Sequence, residues 1–139
     1  RCEVITLERT QASAQQALVL NVKEGTSIFH SVMVHYENEL PVQIEDRCVN
    51  AEIVPAYLAQ DYSQTTPHAY LSLIAPLTEG EHIVEAVRAS AEECALLNIK
   101  EHDPCLLIRR KTWSASSIVS HARLLFPGSR YRLQGRFMS

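Results

Sequence analysis

From Cys2 to Arg9 apolar and polar residues roughly alternate, the period of a strand with one buried face. Ser13 and Gln16 then stand three apart at the start of a stretch in which Ala17, Leu18 and Leu20 supply a packing side. That spacing is a capping box: the serine oxygen accepts from a backbone N–H the helix leaves free, and the glutamine reaches back to the cap. Gly25 ends the stretch. Ser27 to Glu37, rich in β-branched and aromatic residues, predicts a strand. Asn38 predicts a turn. Pro41 to Asn50 predicts the returning strand of a hairpin, with proline tolerated because it opens that strand.

The same order recurs. His82 to Ala89 is strand-like, Ser90 with Glu93 makes a second capping box, and Ala95, Leu96 and Leu97 follow it. Two further strands are predicted, Cys105 to Trp113 and Ile118 to Phe126, with a polar turn between them. Ser13 and Gln16 return 77 positions later as Ser90 and Glu93, and Asn21-Val22-Lys23-Glu24 returns at that offset as Asn98-Ile99-Lys100-Glu101. An internal two-fold repeat is the simplest account. Between the halves, Pro55 to Gln60 predicts a short helical turn, and Thr66-Pro67 opens a helix through Ile74 that Pro76 closes. Ser129 to Phe137 reads as a last strand. The fold class is therefore α+β: a mostly antiparallel sheet with helices packed on it.

Composition fits one domain over residues 1–139, since 46% hydrophobic residues can build a real core. No run is long and apolar enough to span a membrane, and no secretion signal opens the chain, so a cytoplasmic protein is expected. The four cysteines (Cys2, Cys48, Cys94, Cys105) show no Cys-x-x-Cys pair and read as small hydrophobes. A net charge of -3, with no basic stripe, argues against this chain alone gripping DNA. The absence of an initiator methionine at Arg1 points to a missing N-terminal domain.

Candidate chemistry is sparse. Of the six histidines, His30 and His35 are five apart on a strand and face opposite ways, and the others lack ligand spacing, so no metal is expected. Gln43, Glu45 and Arg47 share one face of a strand, which implies either a buried ion pair or a polar pocket. Phe29, Ser31, Met33 and His35 share a face of the neighbouring strand, mixing apolar walls with hydrogen-bonding groups as small-molecule pockets do. Thr65 and Thr66 precede a helix whose free N–H groups favour an anion, and a simple cap is the compatible alternative. Ser120 occupies the repeat position of Gln43, on one face with Ala122, Leu124 and Phe126. Arg109, Arg110 and Lys111 read as a solvated edge.

Several runs together carry a resemblance: Pro-Val-Gln-Ile-Glu-Asp-Arg (41 to 47) with Cys48-Val49-Asn50, Tyr57-Leu58-Ala59-Gln60-Asp61, Thr66-Pro67, Ala75-Pro76-Leu77, Glu81-His82 and Pro127-Gly128-Ser129-Arg130-Tyr131-Arg132-Leu133. Over nearly its whole length the chain resembles the UTRA domain of GntR-type transcription regulators, and within that family the repressors of histidine-utilisation genes. The resemblance implies a chorismate-lyase-like fold, a homodimer, a winged-helix DNA-binding domain ahead of Arg1, and no enzymatic activity or cofactor. It also implies a small-molecule effector, urocanate or a related carboxylate. Met33 and His35 stand where sugar-phosphate-sensing relatives carry arginines, which fits a less charged ligand. The implied ligand set is Thr65 and Thr66 for the carboxylate, His35 and Glu45 for the ring nitrogens with Arg47 beside them, Ser120, and Phe126 stacked on the plane. Two other classes remain open on the residues alone: a lyase acting on a small aromatic carboxylate, and a dimerisation module without ligand.

Overall fold

A computed structural model describes residues 1–138. Its strands are β1 (Cys2–Gln11), β2 (Ser27–Glu37), β3 (Leu40–Val49), β4 (Glu79–Arg88), β5 (Pro104–Ser114) and β6 (Ser117–Pro127). The helices are α1 (Ala14–Leu20), α2 (Pro67–Ile74) and α3 (Ala91–Leu97), with a single 3-10 turn at Tyr57–Ala59. Both predicted capping boxes form. Ser13 accepts from the Gln16 N–H at 3.1 Å and Ser90 from the Glu93 N–H at 3.2 Å, while each N3 side chain bonds back to its cap. Asn21 and Asn98 end the two helices in the left-handed region, at φ 55° and 52°. Helix α1 thus stops at Asn21 rather than at Gly25, because asparagine tolerates that backbone conformation better than most residues.

All five strand pairings are antiparallel, and the strands form one sheet in the order β1-β2-β3-β6-β5-β4. The two hairpins meet at a central seam where Ile44 to Val49 pairs with Leu125 to Ser120. Helices α1 and α3 cover one face. There Ala17 and Leu20 pack with Ile28 and Cys48, and Cys94 and Leu97 pack with Val34, Ile44, Leu107 and Leu125. These are the even positions of β2 and β3, as the period of two requires. The odd positions form the other face, where Phe29, Met33 and Val49 pack under Tyr57, Tyr62, Tyr70 and Leu71. Burying that apolar set on both sides is the main stabilising term.

The expected last strand over Ser129 to Phe137 does not form. Gly128 brings the backbone against Pro104, where an added Cβ would sit 2.9 Å from a carbonyl oxygen, and its N–H bonds that oxygen at 2.8 Å. Arg130 then bonds the carbonyls of Pro41, Leu97 and Asn98, satisfying acceptors that the end of α3 leaves free. The segment is anchored by one side chain instead of a ladder, and residues 132–138 are exposed.

Candidate functional site

The face opposite α1 and α3 carries a continuous polar chain. His35 Nε2 lies 2.7 Å from Glu45 Oε1, Arg47 Nε donates to Glu45 Oε2 at 2.7 Å, and Arg47 Nη1 donates to Ser120 Oγ at 2.8 Å. Ser120 Oγ is in turn 3.0 Å from Thr112 Oγ1. The strand period explains the grouping, because His35, Glu45, Arg47 and Ser120 all occupy positions of one face on three adjacent strands. Glu45 is 4% exposed and Arg47 2%, so the two alternatives for this motif coincide: a buried ion pair whose open end, His35, is only partly buried. Ser31 adds a second link, its hydroxyl 2.8 Å from that of Tyr57, and Tyr62 donates to the Tyr57 carbonyl at 2.8 Å.

Burial alone would raise the Glu45 pKa. The Arg47 charge and the hydrogen bonds from His35 and Arg47 outweigh it and hold the carboxyl at about 2. Burial pushes the Tyr57 phenol up to about 12 and the Cys48 thiol up to about 11. Tyr57 is therefore a neutral hydrogen-bonding wall, and Cys48 has the environment of an inert structural thiol.

His35, Thr65 and Thr66 line one cavity of about 250 Å³, with Cys2, Tyr36 and Tyr62 among its other walls. At the start of α2, Thr66 Oγ1 accepts from the Ala69 N–H at 3.1 Å, and the Tyr70 N–H goes to the Thr66 carbonyl. Pro67 has no N–H. The cap therefore leaves His68 as the one residue of the first turn with an amide still to offer an anion.

Phe126 stands apart from this group. Its ring stacks on Tyr131 with centroids 3.8 Å apart and is 7% exposed, in a cluster with Ile108, Ala122 and Leu124. The structure thus joins His35, Glu45, Arg47 and Ser120 directly, and places Thr65 and Thr66 around the His35 end. It gives the Phe126 face a neighbour from its own chain.

Sequence reasoning gave no site role to Tyr57, Thr112 or Arg110. The basic run does not form one solvated edge. Arg109 bonds Glu85 at 2.7 Å on the α1/α3 face, while Arg110 lies half-buried on the polar face with Thr112. Alternation of Ile108, Arg110 and Thr112 with their neighbours was the available signal, the same one that singled out Glu45 and Arg47. On the α1/α3 face His30 Nε2 meets Asp46 Oδ1 at 2.8 Å, away from His35 as the five-residue spacing requires.

This chain, a single antiparallel sheet with a polar network buried under one face and capped helices on the other, belongs to the UTRA domain family, whose model matches residues 1–132. It is 78% identical over 139 residues to the histidine utilization repressor of Klebsiella aerogenes, covering all of this chain and 58% of that protein. It is 60% identical to the histidine utilization repressor of Pseudomonas aeruginosa, covering 56% of that protein. The chain thus spans a little over half the length of these curated relatives. Among solved structures, the C-terminal domain of the histidine utilization repressor from Pseudomonas syringae pv. tomato superposes with a TM-score of 0.96 at 56% identity, covering 99% of this chain and 98% of that one. The effector domain of PhnF from Mycobacterium smegmatis shares the fold, with a TM-score of 0.91 at 18% identity over 99% of this chain and 86% of that one.

Proposed function

We propose that this chain is the effector-binding and dimerisation part of a cytoplasmic transcriptional repressor of histidine-utilisation genes, and that uptake of urocanate or a related small carboxylate releases DNA. The observation that carries this reading is the buried chain His35–Glu45–Arg47–Ser120, which opens at His35 into a cavity bounded by Thr65 and Thr66. A buried carboxylate fixed by an arginine is a rigid acceptor, suited to a ring N–H. With its Nε2–H donated to the ionised Glu45, a neutral His35 leaves Nδ1 as a second acceptor for a ring N–H. Thr65 and Thr66 bound the same cavity as His35.

The names of the relatives support a regulator rather than an enzyme. DNA contact is assigned to a winged-helix domain ahead of Arg1, consistent with a net charge of -3 in this chain. Ligand changes DNA affinity only by preferring one arrangement of the dimer, typically with a coupling of about 1–3 kcal/mol. Calorimetric titration of the folded chain with urocanate, histidine and imidazole propionate tests the reading. Saturable urocanate binding with weak histidine binding is expected, and no binding of any of the three rejects it.

A further inference from the structure

One transverse row of the polar face runs Ser31, Arg47, Ala122, Arg110, His82 across β2, β3, β6, β5 and β4. Two arginines therefore flank a single small side chain. Arg47 has its counter-charge: Glu45 neutralises it and Ser120 accepts from it. Arg110 is not. Its Nε donates to His82 Nε2 at 2.8 Å, a neutral acceptor, and among the described residues it takes part in no ion pair. The guanidinium is half-buried beside a second cation, and Glu45 is the one buried acid of this face. Burial and the Arg47 charge both lower its pKa, the mark of a cation short of a counter-charge.

The space next to it is hollow. A cavity of about 400 Å³ lies between α2 and β4–β5, lined by Arg110, His68, His82, Thr78, Glu79 and Thr112. Glu79 is exposed at the start of β4 and forms no ion pair with Arg110 among the described residues. His68, in the first turn of α2, lines this cavity, and Thr66 just before it lines the one that holds His35. Burial, then Arg110 and Arg47, lower its pKa, so near neutral pH it offers a neutral ring.

We propose that Arg110 is the charge partner of the effector's carboxylate, with His68 and His82 as the flanking hydrogen-bonding groups, and that it sets selectivity for an acid over its neutral analogue. This rests on the sensing role proposed above. It places the carboxylate at a guanidinium that lacks a counter-charge rather than at Thr66, which already accepts from the Ala69 N–H and offers only a neutral O–H. The two terminal nitrogens of Arg110 match the two oxygens of a carboxylate, and a charge-assisted pair in a half-buried site is strong enough to discriminate.

Two measurements separate this proposal from the reading it rests on. In arginine Nε–H NMR spectra of the chain, with the Arg110 signal identified by its loss in Arg110→Gln, acetate should shift that signal saturably. No shift overturns the proposal. In calorimetry, Arg110→Gln should weaken urocanate at least tenfold and leave urocanamide, which lacks the negative charge, within twofold, with Arg110→Lys between. Equal losses for both ligands, or none, overturn it while the sensing role stands. Saturation of Arg110 by acetate in a chain that binds no urocanate rejects the histidine-utilisation reading and keeps the anion site.

Discussion

Glu45 and Arg47, two residues apart on one strand, hold each other at 2.7 Å with almost no exposure to water. Neither charge has a cheap alternative. Desolvating them costs several kcal/mol each, and their attraction offsets this only because His35 and Ser120 complete the geometry.

Removing one partner is therefore worse than removing both. Glu45→Ala should destabilise the chain by about 3–5 kcal/mol in urea unfolding, because it strands the Arg47 charge. Glu45→Leu with Arg47→Met should recover much of that loss. A double variant as unstable as the single one contradicts the argument.

The same pair fixes a response to acid. Glu45 has a folded pKa of about 2 against an ordinary 4.5, so its contribution is fully present above pH 4.5 and is lost as pH falls toward 2. Acid titration of unfolding free energy should show this loss in the wild type. Glu45→Gln, unfolded less readily by the pH change though weaker overall, should lack that component.

His30 responds in the opposite sense. Its hydrogen bond to Asp46 raises its pKa above 6.5 despite the lowering effect of burial, so its contribution is present below pH 6.5 and fades as pH rises through the raised value. The Asp46 side chain is 45% exposed, which limits the effect to under about 1 kcal/mol. A thermal melting series from pH 6 to 9 should show a small decline that Asp46→Asn removes.

The two capping boxes should behave as independent equivalents. Ser13→Ala and Ser90→Ala each lose one serine-to-amide bond, at a cost of about 1 kcal/mol. They sit on separate helices, so the double variant should show the sum. A chevron or equilibrium curve in which one substitution silences the other would show that the caps are coupled.

Every element that repeats a local rule was legible: the caps at Ser13 and Ser90, the hairpins, and the Thr66-Pro67 helix start. So was the polar face, because alternation alone places Glu45 with Arg47 and Ser31 with His35. Arg110 was hidden by its neighbours, since a run of three basic residues hides the fact that a strand turns alternate members to opposite faces. The segment after Ser129 was misread for a different reason. Its composition suits a strand, yet its path is decided by where Arg130 finds carbonyl acceptors, and those lie far away in sequence at Pro41, Leu97 and Asn98. The stacking of Tyr131 on Phe126 follows from that path and has no local signal.

The central seam between β3 and β6 gives the buried chain a mechanical meaning. His35, Glu45 and Arg47 belong to the first hairpin, Ser120 and Thr112 to the second, and the Arg47–Ser120 bond adds a side-chain link to the backbone ladder that joins them. A change made at one end of that line, at His35 or at Thr112, is therefore carried across the seam by side chains as well as by the backbone.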